Sequence, residues 1–375
     1  MRWIMKKAII AVIVIAVMVL GGFSAYAIQG LDEDDSVRIL ANDGYSTLTT
    51  NTVGGTISTT TDVLKGVVDG SAPGIHVTDT YSVFSLDKAF LKSLTENATG
   101  SMVTFQFGYN SDKSAVTFLI KDESNKEIFG KSGRCVGELP FIGTAGGVSN
   151  LTMIDAAQNV VSCSAYYPDA NLVRWQLKSG GTYTVTAKSV SFNDTKDHWG
   201  STYIDFLSSR GVASGMGNGS FSPDSNLTRA QFVTFLAKLS MEDVSGYAEN
   251  KFTDVKSGSW YYPYVSWAVA AGITDGVGNN LFAPEMKITR EQVTRMTMQF
   301  FNYMGIEQKD IRSRADFTDS SKISSWAKDS VGICQAAGVI NGFPDGSFQP
   351  QANATRAEAA TMCSRIVSYG LIMPQ

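Results

Sequence analysis

Phe317-Thr-Asp319, Trp326, Gly338-Val-Ile-Asn-Gly342, Pro344-Asp-Gly-Ser-Phe-Gln-Pro350 and Thr355-Arg-Ala-Glu358 follow one another in the last part of the chain. The same order of residues starts at Phe252 and, before that, at Phe192, so the phrase occurs three times, 60 and 65 residues apart. Each copy reads as an F-x-D opening, a Trp-bearing helical stretch, a G-x-x-x-G turn, an F-x-P turn and a Thr-Arg helix start. A unit of this size buries its apolar face only against its siblings, so the period decides the architecture and directs attention to the places where copies meet.

Outward from the repeats, 375 residues with 43% hydrophobic and 18% charged side chains read as folded material divided into two or three units. A formal net charge of −4 argues against a nucleic-acid binder, which needs a clustered basic surplus. Residues 1–27 read as a secretory signal peptide: Arg2, Lys6 and Lys7 open it, Ala8 to Leu20 is apolar, and Ala25-Tyr-Ala27 gives a small-x-small end. An uncleaved anchor is the alternative, although the apolar run is short of the ~20 residues that span a bilayer.

Residues 28–188 are expected to form a β-rich, sandwich-like domain of antiparallel strands. Thr47 to Thr61, Met102 to Phe107, Ala115 to Ile120 and Thr182 to Thr186 carry β-branched and aromatic residues at period two. Asn110-Ser-Asp112, Gly146-Gly147, Pro168-Asp169 and Gly180-Gly181 read as turns, and Leu86 to Leu94 as a helix. The run Asp32 to Asp35 is a solvated tail or, on the alternative reading, a calcium site without EF-hand spacing. From Val190 the pattern turns helical, with repeats over 190–241, 250–304 and 315–370 and a charged linker from Gly305 to Ala315. The whole is therefore an α+β multidomain chain. Cys334 and Cys363 fall on apolar helical positions and read as buried thiols rather than a bridge; no metal motif appears among the four cysteines.

Thr228-Arg-Ala-Gln231, Thr289-Arg-Glu-Gln292 and Thr355-Arg-Ala-Glu358 satisfy the T-x-x-E/Q capping box, which accounts for the first and fourth residues. It leaves Arg229, Arg290 and Arg356 unexplained. A cation in the first helical turn is mildly unfavourable, and three of them concentrate positive potential suited to an anion. The competing reading is an ion pair with Asp194, Asp254 and Asp319, which also suit capping of each first helix. Trp199, Trp260 and Trp326 read as core or as faces for a sugar ring. The pairs Gly211/Gly215, Gly272/Gly276 and Gly338/Gly342 read as helix stops, and the second of each pair would also let a ligand approach backbone.

With those residues in place, the phrase resembles the S-layer homology domain in three tandem copies, over about half of the chain. The resemblance implies a pseudo-threefold helical prism whose grooves hold an acidic, pyruvylated secondary cell-wall polymer. It assigns that groove to Arg229, Arg290 and Arg356, with Asp194, Asp254, Asp319, Trp199, Trp260, Trp326, Gly215, Gly276 and Gly342. It also implies a secreted protein of the cell wall or surface layer, capable of self-association; no cofactor and no metal are expected. Copy two departs with Gly278-Asn-Asn-Leu281, and copies one and two carry Gln231 and Gln292 where copy three has Glu358, so unequal grooves are expected. On this reading Arg356→Ala weakens wall retention with the helices still folded.

The expected function is a non-catalytic surface protein anchored by its repeats. The alternatives are an anchored glycan hydrolase or an adhesin with its site in 28–188. The chain has two histidines, His76 and His198, and none of the common hydrolase motifs, but a carboxylate pair would suffice for glycoside chemistry. Tyr81, Tyr109, Tyr166, Tyr167 and Trp175 are the aromatic residues that an adhesin platform would use.

Overall fold

The computed structural model describes residues 35–37, 44–141, 151–168, 170–308, 310, 314 and 316–371. The signal-like segment, most of the acidic run, the Gly146-Gly147 turn, Asp169 and part of the 305–315 linker lie outside them.

The first domain is a two-sheet sandwich. One sheet has seven strands in the order β1 (Asp35–Val37), β2 (Ser46–Thr50), β4 (Gly74–Thr78), β5 (Val83–Asp87), β8 (Cys135–Pro140), β12 (Leu172–Leu177) and β11 (Ser164–Tyr167). The other runs β10 (Val160–Val161), β9 (Leu151–Asp155), β13 (Gly181–Ala187), β7 (Ala115–Asp122), β6 (Met102–Tyr109) and β3 (Gly55–Thr60). Alternation places Val103, Phe105 and Phe107 of β6 and Val116, Phe118 and Ile120 of β7 inside, as period two requires. The sheets meet where Phe84 stacks on Phe118, with centroids 3.8 Å apart, and Trp175 packs edge-on against Phe84.

Three sequence expectations need correcting here. The β2–β4 pair is parallel, in a sheet otherwise antiparallel. The Thr-rich run is two strands that end in a helix, α1 (Thr61–Asp69), because the Thr60 hydroxyl caps Val63 N–H. The expected Leu86 to Leu94 helix begins later, as α2 (Lys88–Asn97). Leu86 stays in β5, paired with Ile75 and Cys135, and the Asp87 carboxylate caps Phe90 N–H.

Each repeat contributes two helices: α3 (Ser201–Ser209) and α4 (Arg229–Ser240), α5 (Tyr262–Ala270) and α6 (Arg290–Met304), α7 (Lys328–Ala336) and α8 (Arg356–Gly370). All three capping boxes form, Thr228 with Gln231, Thr289 with Gln292, and Thr355 with Glu358. The segments leading into these caps are joined in a circle. Leu227 N–H donates to Ala354 O, Ala354 N–H to Ile288 O and Ile288 N–H to Leu227 O, at 2.9, 2.9 and 3.0 Å. The first helix of each repeat packs on the second helix of the repeat before it, with α3 of the first on α8 of the third. The apolar sides of α4, α6 and α8 are consequently buried, including Phe232, Phe300 and Cys363. All four cysteines are free thiols, and Cys334 and Cys363 are buried as expected.

The sandwich is joined to this ring by buried polar contacts. Arg210, at the end of α3, donates from Nε to Ser164 O at 2.7 Å and from Nη2 to Leu151 O at 2.6 Å. Arg134 donates to Gly370 O, and Tyr167 donates to Ser368 O at 2.6 Å. Burial pushes the Arg210 guanidinium down to about 9. Both arginines are nearly inaccessible and receive carbonyl oxygens in place of water.

Candidate functional site

Every junction between repeats is built around one F-x-P turn. Phe221 and Ser222 donate their N–H groups to Asp194, both at 2.8 Å. Phe282 and Ala283 do the same to Asp254, and Phe348 and Gln349 to Asp319. The aspartates therefore fasten the turn of their own repeat, and capping of the first helix is not their role. The first helices start several residues further on, at Ser201, Tyr262 and Lys328. Burial pushes the Asp194 carboxyl up; the two N–H bonds, with the charge of Arg356 beyond them, outweigh it and hold the group below its ordinary value.

The carbonyl oxygen of that same Phe is taken by an arginine from the neighbouring repeat. Arg229 Nε donates to Phe282 O, Arg290 Nε to Phe348 O and Arg356 Nε to Phe221 O, each at 2.8 Å. The guanidinium carbon also lies 4.3–5.1 Å from the ring centroid of that Phe. Arg229, Asp254 and Gly276 thus belong to the junction of repeats one and two; Arg290, Asp319 and Gly342 to that of two and three; Arg356, Asp194 and Gly215 to that of three and one.

These arginines do not face open crevices, contrary to the anion-site expectation. They are 2%, 8% and 3% exposed, and burial lowers all three guanidinium values, Arg229 to about 10. Nor do the aspartates form the internal ion pair, since arginine and aspartate grip opposite sides of one peptide-rich turn. Arg290 alone has a carboxylate, Glu358, at 2.9 Å. Its Nη2 also donates to Asn341 O, as that of Arg356 donates to Ser214 O. Arg229 Nη2 is buried with no hydrogen-bond partner, an arrangement that ordinarily costs about 1–3 kcal/mol.

The glycines have a packing reason. A Cβ on Gly215 would stand 2.7 Å from both the Phe192 ring and Ser220 O, and one on Gly342 would meet Phe317 and Ser347 O at 2.8 and 2.7 Å. Gly276 is likewise crowded by Phe252 and Leu281 O, and it adds a φ of 89°. The room left by the missing side chain is filled by the protein itself.

The tryptophans reverse the usual expectation of burial. Trp199, Trp260 and Trp326 are 60%, 55% and 50% exposed, a large apolar face turned to solvent once in each repeat. They stand just before α3, α5 and α7, the helices that pack on the arginine-bearing α8, α4 and α6. A Cβ on Gly200, next to Trp199, would lie 3.2 Å from Ala357 Cβ, and Ser324 donates from both N and Oγ to Glu291 at the start of α6. Each junction accordingly combines a buried guanidinium, a turn tied from both sides and a solvent-facing indole at the rim.

The aromatic residues of the sandwich do not assemble into one platform. Trp175 is fully buried, Tyr167 is turned to the ring, and Tyr81 and Tyr109 meet edge-on at 81° with the Tyr109 hydroxyl on Asp79. What sequence reading missed is the use of the Phe carbonyls by the arginines, the second role of Glu358, and Arg134 and Arg210 in the interface. The one available signal was that Glu358 stands alone among two glutamines.

The S-layer homology domain family matches residues 191–233, 251–294 and 316–360. Among relatives, the chain is 29% identical over 301 residues to an amylopullulanase of Thermoanaerobacterium thermosulfurigenes, covering 74% of this chain and 16% of that protein. It is 37% identical over 196 residues to the exoglucanase XynX of Acetivibrio thermocellus, covering 52% and 17%. It is 28% identical over 190 residues to an S-layer protein of Bacillus thuringiensis subsp. finitimus, covering 50% and 23%. The chain thus spans less than a quarter of the length of each of these relatives. No helix among the described residues is long and apolar enough to cross a membrane. S-layer homology domains stand at three tandem positions within residues 191–360, and they indicate a secreted, cell-surface location for the chain.

Proposed function

We propose that the junctions between the three repeats bind a secondary polysaccharide of the cell wall, and that the chain is a non-catalytic surface protein held by this contact. The observation that carries the reading is the exposed indole repeated at each junction rim, Trp199, Trp260 and Trp326. Such a face covers the apolar side of a pyranose ring. The circle of backbone hydrogen bonds through Leu227, Ile288 and Ala354 supports a pseudo-threefold arrangement in which these rims repeat around one axis. The buried arginines give the junctions a positive background, which suits an acidic polymer and, in the finer form of the proposal, a pyruvylated amino sugar. Self-association in a surface layer belongs to the same reading.

The test is sedimentation of the whole secreted chain with cell-wall sacculi, before and after the secondary polymer is stripped from them, and with polymer lacking the pyruvyl group. Co-sedimentation that survives stripping would sink the proposal. Co-sedimentation lost on stripping but kept without the pyruvyl group would remove only its finer form. A second reading, an anchored glycan hydrolase, draws on the alignment with the amylopullulanase, which at 74% of the chain extends into the sandwich. Release of reducing sugar from wall glycan or starch by the purified chain would favour it.

A further inference from the structure

Ahead of each first helix the chain runs as a strap alongside that helix, and the contact between the two recurs with different chemistry. In repeat one, Asp205 of α3 accepts from Val190 N–H at 2.7 Å and from Ser189 Oγ at 3.1 Å. The same place in α5 is Ser266, whose Oγ accepts from Asn250 Nδ2 at 3.3 Å. In α7 it is Gly332, where a Cβ would lie 3.6 Å from Arg314 Nη1. The strap residues correspond as well: Val190 and Asn250 stand two positions before Phe192 and Phe252, and Ser189 and Arg314 three before Phe192 and Phe317.

What differs is the space between strap and helix. Two residues past its tryptophan, repeat two has Tyr262, whose hydroxyl crosses to the strap and donates to Ala248 O at 2.7 Å. Repeat one has Ser201 at that position. Beside the shorter side chain lies a cleft of about 460 Å³, with Phe192, Asn193, Thr195 and Lys196 on one side and Ser201 and Asp205 of α3 on the other. Arg356, Asp194, Trp199 and Gly215 do not line it, so it is a different place from the junction of repeats three and one. Its position is at the passage from the sandwich into the ring, since the strap follows directly on β13, which ends at Ala187.

We propose that this cleft is a separate binding site for a neutral sugar unit. Its volume is in the range that encloses a small ligand. The lining pairs one cation with one anion: Lys196 is exposed, and Asp205 is half-buried against the strap. Each Asp205 oxygen takes one hydrogen bond from the strap and keeps acceptor capacity for another. The Asn193 amide and the Ser201 hydroxyl can both donate and accept. Thr195 Oγ1 spends its proton on Phe192 O at 3.2 Å, so toward the cleft it is an acceptor. Sugar hydroxyls both donate and accept, and the Phe192 ring offers an apolar face for the carbons of the pyranose. A carboxylate-bearing sugar would meet Asp205, and a cationic one Lys196, so the neutral class fits best. The argument uses none of the junction residues and does not depend on what the junctions bind. Where both are occupied, each attachment raises the effective concentration of the other.

The experiment is saturation-transfer NMR on the whole chain with two neutral disaccharides, di-N-acetylchitobiose and maltose, and with glucuronic acid as the acidic comparison. Transfer to at least one of the disaccharides and none to glucuronic acid is the expected result. Ser201→Tyr copies the residue of repeat two and should weaken the binding by about tenfold or more. The double variant Asn193→Ala, Lys196→Ala alters two exposed side chains without filling the cleft, and a similar loss is expected from it, whether or not Ser201→Tyr folds. No transfer to either disaccharide, equal transfer to glucuronic acid, or binding unchanged in the double variant overturns the proposal. Binding that survives in Ser201→Tyr but is lost when Trp199, Trp260 and Trp326 are all replaced by Ala overturns it too, and moves the sugar to the junction rims. Co-sedimentation with polymer-bearing sacculi is read separately: a chain that still sediments there while failing to take up the disaccharides keeps the junction reading and loses only this site.

Discussion

Arg356 Nε donates to the carbonyl oxygen of Phe221 at 2.8 Å, joining residues 135 positions apart and tying the last repeat to the first. The N–H of the same Phe221 is held by Asp194. One peptide-rich turn is therefore gripped by a cation from one repeat and an anion from another, and the pattern recurs at each junction.

Loss of Arg356 should open the ring as well as alter its surface. Arg356→Ala removes the partners of Phe221 O and Ser214 O and is expected to cost about 2–4 kcal/mol. Arg356→Lys should recover only part of this, lacking the guanidinium fork. Urea unfolding followed by circular dichroism decides it. An unchanged midpoint would restore the expectation from sequence that the helices stay folded.

Gly342→Ala should destabilise the third repeat by about 1–3 kcal/mol, because the new methyl group overpacks against Phe317 and the Ser347 carbonyl. A thermal melt within error of the wild type would show that the turn has room to shift.

Arg210→Met should uncouple the sandwich from the repeats. It removes the bonds to Ser164 O and Leu151 O while keeping much of the side-chain volume. Two resolved transitions in differential scanning calorimetry, where the wild type shows one, are the expected outcome; a single transition in both proteins contradicts it.

Acid should loosen the junction of repeats three and one through Asp194. Its carboxyl lies below the ordinary value of 3.8 in the folded chain, so its contribution is complete above that value and drains away as pH falls through the lowered one. Asp194→Asn should be less stable than the wild type at neutral pH, with the gap narrowing below about pH 4. A gap that is constant with pH would exclude the linkage.

Much of the repeat architecture was legible because each device is local. Thr228, Thr289 and Thr355 stand immediately before their helices as caps, and Gly211, Gly272 and Gly338, all at positive φ, mark where the earlier helices stop. The junctions were less legible, because their meaning depends on which copy faces which. Nothing in Thr-Arg-Ala says that the arginine reaches the carbonyl of a Phe in another repeat. The tryptophans show the opposite difficulty: spacing located them, but exposure is decided by the way α3, α5 and α7 lie on their neighbours. In the sandwich, Thr60 and Asp87 acted as helix caps inside stretches whose alternation read as strand or as helix already begun.

The buried contacts of Arg134, Arg210 and Tyr167 with the ring have a geometric consequence. A tether through a loose hinge would let the sandwich sweep a hemisphere above its anchor. Here a chain fastened at its repeats has a fixed bearing, so neighbouring copies on one wall would present the same side of the sandwich in the same direction.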